Sequence, residues 1–355
     1  DPDSLPHDPP TQEAAQKAAA WYGAEVLGDF PFAGRAERAT AFALALLPYV
    51  RPLIDGVTPL HLIEASSPGT GKSVLMRACL HTATRGGSVQ ALAPGKDDDE
   101  WRKRITAAVA AGSEIICIDN VDRLDSGVLS SALTSPVWSD RRLGLSENIS
   151  FQNTFTWSAT GNNVRLTEET ARRVVRCRLV AGVERPWLRG GWRHADLIGW
   201  IEANRTTVTR ALWTCAYAWA AAGAPYGDGP VLGSFETWSR AMGGLLAFCD
   251  VPGLLENIND VAHAAAGHDD DAVLIRLWWA RLGDREVTTA EIFPIAREAE
   301  FGMRGREDSD QRRSLAQSLR NMRDCVVGGF RVVHKSVGTD HHGRATFRLA
   351  PATVT

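Results

Sequence analysis

The chain has 355 residues, of which 44% are hydrophobic and 23% charged, with a formal net charge of −3. This composition is typical of a globular protein of two or three domains, and it excludes a global basic field for nucleic-acid binding. No apolar run approaches bilayer length and the six cysteines occur singly, so we expect a cytoplasmic protein with reduced thiols, no membrane partner and no structural zinc.

The first predicted elements are helical. Residues 1–12, rich in Pro and Asp, are expected to be disordered or a linker. Helices are predicted over residues 12–26 and 36–47, with Phe30-Pro31-Phe32 as an elbow between them. We assign residues 13–56 to an N-terminal helical region.

A glycine-rich loop follows a strand predicted over residues 59–65. It reads Ser66-Ser67-Pro68-Gly69-Thr70-Gly71-Lys72-Ser73-Val74 and opens a helix predicted over residues 73–82. Glycines let backbone N–H groups surround phosphate oxygens, while Lys72 reaches the β/γ-phosphates and the Ser73 hydroxyl ligates Mg²⁺. We predict a site for ATP or GTP with Mg²⁺ at residues 67–74. A glycine-rich surface turn is the alternative, and it leaves the preceding buried strand unexplained.

The segments after the loop alternate between helix and strand. A helix is predicted over residues 97–111, and strands over residues 114–119, 151–159 and 174–179. Alternation of this kind after a phosphate-binding loop favours an α/β domain, residues 57–185, with a parallel sheet and its ligand at the strands' carboxyl edge.

Three acidic residues are candidates for chemistry beside the nucleotide. Asp119 ends an apolar strand downstream of the loop, where a carboxylate holds Mg²⁺. Asn120 follows it and cannot act as a base, so Asp122, or Glu64 in the preceding strand, is the candidate for orienting the attacking water. The alternative is that Asp122 and Asp125 cap the helix beginning near Ser126.

A neutral amide is predicted beside the γ-phosphate. The strand ending Trp157-Ser158-Ala159-Thr160-Gly161 is followed by Asn162 and Asn163. Asn162 is the better candidate because it comes first out of the strand, whereas Asn163 also suits a turn.

The remaining residues are predicted to form a helical lid and a terminal domain. Helices over residues 197–222 and 235–248 make the lid, residues 186–266, and a linker begins at residue 267. Three further helices (272–282, 288–300, 311–324) and two strands (330–336, 345–349) form a winged helix-turn-helix pattern over residues 267–355.

This terminal block is locally basic. Arg320 and Arg323 are neighbours on the surface of its third helix, the predicted recognition helix. DNA contact is one interpretation, and protein contact is the other. The cations in question are Arg304, Arg306, Arg312, Arg313, Arg320, Arg323, Arg331, Lys335, Arg344 and Arg348.

Several of these motifs together resemble AAA+ helicases of the branch that holds superfamily III and minichromosome-maintenance proteins. They are the Pro-Gly-Thr-Gly-Lys-Ser loop, Ile118-Asp119-Asn120, Thr160-Gly161-Asn162-Asn163 and Ala171-Arg172-Arg173-Val174-Val175. The segments 138–144 and 234–244 look more narrowly like helicase parts of phage and mobile-element primase-helicases. Ser66 and Asn120 depart from the family pattern, in which glycine and glutamate are usual.

The resemblance implies an ATP-driven, oligomeric and often hexameric ring that translocates on DNA. It implies that Asn162 serves as sensor 1 and that Arg172 or Arg173 reaches a neighbouring subunit's ATP, unless both belong to a solvated helix face. It also implies a hairpin offering Arg141 and Arg142 to DNA phosphates, or one of them to the subunit interface. Sensor 2 is Arg205 or Arg240.

We therefore expect an ATP-dependent helicase or translocase from a mobile-element replication module, acting on single-stranded or forked DNA, with a possible primase domain or partner. An ATP-switched replication initiator or loader shares every motif. A winged-helix regulator carrying an ATPase module is a further alternative, whereas a protein remodeller is disfavoured by the basic terminal block.

Overall fold

The computed structural model describes residues 8–65, 67–84, 89, 91–141, 148–181, 186–259, 268–299, 301–303, 305, 307–322, 326–327, 330–335 and 346–351. The chain divides into two compact units, residues 1–262 and 263–355, each with a hydrophobic core of its own. Within the described ranges, no helix is both long and apolar enough to cross a bilayer.

Parallel strands form the centre of the first unit. In chain order its strands are β1 (Leu60–Ala65), β2 (Ala91–Leu92), β3 (Ile115–Leu124), β4 (Val137–Arg141), β5 (Asn148–Gln152), β6 (Thr156–Leu166) and β7 (Val174–Leu179). Five of them form a parallel sheet in the spatial order β2-β3-β6-β1-β7. β4 and β5 pair separately as an antiparallel ribbon that enters β6 at its amino end.

Helices cover both faces of this sheet. They are α1 (Gln12–Glu25), α2 (Arg35–Val50), α3 (Lys72–Leu80), α4 (Asp98–Ala110), α5 (Gly127–Thr134), α6 (Glu168–Ala171), α7 (Leu197–Ala203), α8 (Arg205–Ala221) and α9 (Glu236–Phe248). One core joins Ile63 and Cys177 of the sheet to α1, α2, α3, α8 and α9, and a second core joins Leu62 and Ile118 to α4 and α5. This three-layer arrangement leaves the carboxyl edge of the sheet to carry the site.

Two predicted elements are divided in the structure. The strand predicted over residues 151–159 is two strands, because the Asn153 amide donates to the carbonyls of Ala132 (2.6 Å) and Ser135 (2.8 Å) and turns the chain between β5 and β6. The helix predicted over residues 197–222 is broken at Asn204, whose side-chain amide donates to the Trp200 carbonyl (2.9 Å) and competes with the helical bonds.

The second unit combines helices with a small antiparallel sheet. Its elements are α10 (His268–Leu282), β8 (Val287–Thr288), α11 (Thr289–Glu298), α12 (Asp308–Asn321), β9 (Val326–Val327), β10 (Phe330–Lys335) and β11 (Thr346–Pro351). The sheet order is β8-β11-β10-β9, and Trp278, Leu315 and Phe347 lie in the core beneath it. The three helices and last two strands lie near their predicted positions, and β8 and β9 are additions.

Candidate nucleotide-binding site

The glycine-rich loop predicted to bind phosphate joins β1 to α3 through two left-handed glycines. Gly69 has φ 75° and Gly71, the residue before α3, has φ 96°, a backbone region that side chains disfavour. A Cβ atom on Gly69 would also lie 2.9 Å from Cβ of Trp187. The loop therefore needs glycine for both shape and space, and it presents the amino end of α3 at the carboxyl edge of the sheet.

Four predicted side chains meet at this edge in two hydrogen-bonded pairs. Lys72 Nζ donates to Asn162 Oδ1 (2.7 Å), and Ser73 Oγ donates to Asp119 Oδ1 (3.0 Å). They converge because β6 lies between β1 and β3 in the parallel sheet, so the carboxyl ends of all three strands lie together. Of the two candidate amides, Asn162 is the one that contacts Lys72. The expectation that the strand ends before them is wrong, because β6 continues to Leu166, and Asn163 is left-handed (φ 41°) at an irregularity within β6 and not in a turn.

Register shifts between β3 and β6 set the directions of these groups. The pairing shifts once between Ile118 and Val121 and again between Val121 and Arg123, and Asn120 is left-handed (φ 59°). Such bulges re-aim neighbouring side chains. Gly161 is obligatory beside them, since a Cβ atom there would lie 2.1 Å from the Val121 carbonyl oxygen.

Thr160 is a site residue that the sequence analysis did not single out. Its hydroxyl donates to Asp119 Oδ1 and accepts from the Asn120 backbone N–H (3.1 Å), and the residue is 1% exposed. Thr160 therefore fixes the carboxylate and the first bulge together. Its position two residues before Asn162 in an apolar run is the only sequence signal for it.

The electrostatics of the site suit a polyanion with a hard cation. Burial lowers the pKa of Lys72, and the nearby Asp119 opposes that shift, while Lys72 is only 9% exposed. Ser73 and Asp119 supply hydroxyl and carboxylate oxygens, which are the ligands that Mg²⁺ prefers. No group of three or more His, Cys, Asp or Glu residues in the described part of the chain could hold a metal alone. This donor set fits an ion that is also held by phosphate oxygens.

The two tandem arginines after β6 have different surroundings. Arg173 donates to the Glu169 carbonyl and pairs with the Glu169 carboxylate (3.4 Å), leaving a fifth of its side chain exposed. Arg172 is exposed and makes no hydrogen bond or ion pair with a described residue. The spacing of Glu169 and Arg173 is that of helical neighbours, which was the available signal for their pairing.

The two candidates for orienting the attacking water differ in their exposure and in their ion pairs. Glu64 is 1% exposed and is paired with Arg176, and Arg178 lies 3.8 Å from it. Asp122 is exposed in β3 beyond the first bulge. The proposed capping role falls to neither Asp122 nor Asp125, because Ser126 itself caps α5 by accepting from the Leu129 N–H (3.1 Å).

A cavity of about 260 Å³ adjoins the glycine-rich loop. Phe30 of the elbow, Trp192 and His194 line it together with the loop glycines. Arg189 lies over the Trp192 ring, 4.8 Å from its centroid, and His194 stacks on Trp200 (3.9 Å). This aromatic wall was not predicted, because its members lie far from the loop in sequence.

A second cavity, of about 330 Å³, lies between α1, α2 and residues 249–252. Its arginines are already engaged: Arg35 makes two bonds to Glu256 (2.7 and 2.8 Å), and Arg38 donates to the Gly23 carbonyl (2.8 Å). The glycine-rich loop does not line it, so the smaller cavity is the candidate nucleotide pocket.

Neither sensor 2 candidate lines this pocket. Arg205 donates to the carbonyls of Thr82 (3.2 Å) and Thr84 (2.7 Å), just beyond the carboxyl end of α3 and opposite the loop. Arg240 is exposed on α9.

The predicted DNA contacts are distributed over both units. Arg141 ends β4, in the hairpin predicted from the sequence, and Lys335 ends β10. Arg312, Arg313 and Arg320 all lie on α12. Arg142 and Arg344 lie outside the described residues, as do Ser66, Arg304, Arg306 and Arg323.

No protein-family model matches the chain, and no curated protein matches it by sequence. Two solved helicase structures are similar to it at low scores. The SCCmec type IV Cch helicase is 9% identical, with 94% of this chain and 70% of that chain covered and a TM-score of 0.37. A JCV helicase is 13% identical, with 72% and 73% covered and a TM-score of 0.30. Scores this low establish no shared fold, and no residue role is taken from these proteins.

Proposed function

We propose that this chain is an ATP-dependent DNA helicase or translocase that acts in the replication of a mobile genetic element or phage. The observation that carries the proposal is the convergence of Lys72, Ser73, Asp119 and Asn162 on the loop between β1 and α3. The adjacent aromatic cavity supports it, because a planar base would stack there while the phosphates lie along the loop.

Each side chain has a role that follows from its position. Lys72 and the loop N–H groups hold the β- and γ-phosphates, Ser73 and Asp119 hold Mg²⁺, and Thr160 keeps the Asp119 carboxylate in place. Mg²⁺, when bound, supplies positive charge beside the transferred phosphoryl group. Asn162 positions the γ-phosphate or the attacking water, and Asp122 is the remaining exposed carboxylate for orienting that water.

The active form is proposed to be a homo-oligomeric ring, a hexamer, with ATP between subunits. The support is Arg172, which is exposed and engages no described residue of its own chain. It precedes β7 at the amino end of the sheet, where the Leu60 N–H donates to the Arg173 carbonyl (2.9 Å), so it is remote from the loop of its own chain. Such a guanidinium can reach a neighbour's γ-phosphate. The second unit, whose helices and strands follow the order of a winged helix, is proposed to contact DNA through α12.

Strand separation on a forked DNA substrate tests this function. We expect ATP-dependent unwinding by the wild type, none by Lys72→Ala, and a wild-type rate for Lys103→Ala, an exposed lysine on α4 paired with Glu100. Unwinding by Lys72→Ala at the wild-type rate contradicts the proposal. ATP-dependent DNA binding without unwinding by the wild type assigns the chain to the initiator or loader class instead.

A further inference from the structure

Two strands of the site extend beyond the rest of the sheet as a parallel ribbon. β1 ends at Ala65 and pairs with β6 only as far as Asn162, whereas β6 continues to Leu166 and β3 to Leu124. Past the second register shift, Arg123 pairs with Arg165 and Leu124 with Leu166. The ribbon therefore holds two arginines at adjacent positions on neighbouring strands.

This arrangement is electrostatically unfavourable in isolation. Like charges directly opposite each other destabilise paired strands, and neighbouring strands lie about 4.8 Å apart. Both arginines are exposed. Arg123 contacts Asp125 (2.5 Å), with 58% and 41% of the two side chains exposed, whereas Arg165 makes no hydrogen bond or ion pair with a described residue. One of the two guanidinium groups is thus left without a counter-charge on the described surface.

We propose that Arg123 and Arg165 form a binding site for the phosphodiester backbone of single-stranded DNA, separate from the hairpin and α12 contacts. Two planar guanidinium groups side by side match the closely spaced anionic oxygens of such a backbone. The inference rests on the proposed function for its choice of polynucleotide. Two acidic residues flank Arg123, Asp122 in β3 and Asp125 just after it, and restrict the contact to the arginine pair.

The position of the pair connects DNA binding to the nucleotide. Arg123 follows Asp119 by four residues in β3, about 13 Å along a strand, and Arg165 follows Asn162 by three residues in β6, about 10 Å. Irregular pairing at Asn120 and Asn163 lies between the arginine pair and these two site residues. A DNA backbone bound by the arginine pair would therefore contact the same two strands that position Asp119 and Asn162.

Fluorescence anisotropy with a labelled oligothymidine, measured from low to high salt, tests the site. Arg165→Ala removes one phosphate contact, so we expect affinity to fall about fivefold and the slope of log K against log salt to shrink by about 0.7. The double variant Arg123→Ala/Arg165→Ala is expected to shrink the slope by about 1.4. Asp125→Asn removes the carboxylate that pairs with Arg123 and should tighten binding of the oligothymidine. General damage to the fold would weaken binding, so a gain in affinity distinguishes the two causes.

Arg210→Ala is the matched control, since Arg210 is an exposed arginine on α8 whose side chain makes no ion pair with a described residue, and its affinity should remain that of the wild type. Equal affinity and salt slope for the wild type and the double variant overturn the inference while leaving the proposed function intact. A changed oligomeric state in light scattering with unchanged oligothymidine affinity assigns the pair to a contact between copies and also overturns it. A wild type that binds no oligothymidine contradicts the proposed function itself, and this inference with it.

Discussion

The two regions proposed to act on phosphate groups, the carboxyl edge of the large sheet and the surface of α12, are built differently. At the sheet edge, Lys72 is bonded to Asn162, and Asp119 accepts from both Ser73 and Thr160. On α12 the arginines stand apart: Arg313 is 85% exposed beside Asp310 (3.9 Å), and Arg312 lies over the Phe293 ring (4.8 Å). Interlocked groups define a pocket with one geometry, whereas separate cations define only an attractive surface.

The largest expected effect distinguishes the two tandem arginines that precede β7. Arg172→Ala removes the exposed guanidinium proposed to complete a neighbour's site, so ATP hydrolysis should fall about a thousandfold. Arg173→Ala breaks only a partly exposed intrachain pair with Glu169 and should cost little activity. Steady-state phosphate release by the two variants measures the difference. Equal losses, or a larger loss for Arg173→Ala, would contradict the assignment.

Gly161 gives the sharpest test of how rigidly the sheet edge is built. Gly161→Ala places a methyl group 2.1 Å from the Val121 carbonyl oxygen and 2.3 Å from Val164 Cγ2, so the β3–β6 pairing must shift. We expect a loss of about 3 kcal/mol in unfolding free energy and at least a hundredfold loss of ATP hydrolysis.

The control for this change is Gly229→Ala, a glycine in the loop before α9. Its φ is ordinary and a methyl group added there would have nothing within 4 Å, so stability should stay within about 0.5 kcal/mol of the wild type. Urea unfolding monitored by tryptophan fluorescence measures both variants. Similar stability for the two would show that the close approach at Gly161 is not required.

A buried histidine in β1, the strand before the glycine-rich loop, predicts that stability depends on pH. His61, 1% exposed in β1 and edge-on to Trp238, has its pKa lowered from 6.5 to about 4 by burial. The unfolded chain then binds more protons below pH 6.5, so stability falls as the pH drops from 6.5 to 4, by about 3 kcal/mol from this group. Urea unfolding at both pH values measures this. Between pH 6.5 and 4, His61→Leu should lose about 3 kcal/mol less unfolding free energy than the wild type. An identical acid loss would exclude His61 as its source.

The smallest expected effects belong to α12. Arg312→Ala and Arg320→Ala should each weaken DNA binding only a few-fold and reduce the salt slope by about one phosphate contact, whatever the DNA sequence. Anisotropy at several salt concentrations measures this. A loss confined to one DNA sequence would show direct base recognition and favour the regulator interpretation.

The same contrast explains what could be predicted from the sequence. The order of the parallel strands brings Lys72, Ser73, Asp119 and Asn162 to one edge, and the motif spacing anticipated that meeting. The local spacing of apolar and turn-forming residues also predicted the helices and strands of the second unit. These features depend on hydrophobic periodicity and on glycine chemistry, which a single chain displays.

Other features depend on tertiary packing that spacing does not encode. The role of Thr160 follows from the bulged register of β3 and β6, and the aromatic cavity joins Phe30 to Trp192 across the chain. The break at Asn204 arises because its amide finds the Trp200 carbonyl. In each case a partner distant in sequence, or a side chain competing with the backbone, decides the outcome.

The most direct test of the nucleotide site is phosphate release from ATP with Mg²⁺ by the wild type, Asp119→Asn and Asp228→Asn. Asp119→Asn keeps the shape of a side chain held by Ser73 and Thr160 but removes its charge, whereas Asp228 lies exposed in the loop before α9. We predict hydrolysis by the wild type and by Asp228→Asn, and a loss of at least a hundredfold in Asp119→Asn. No release by the wild type, or undiminished release by Asp119→Asn, would contradict the site.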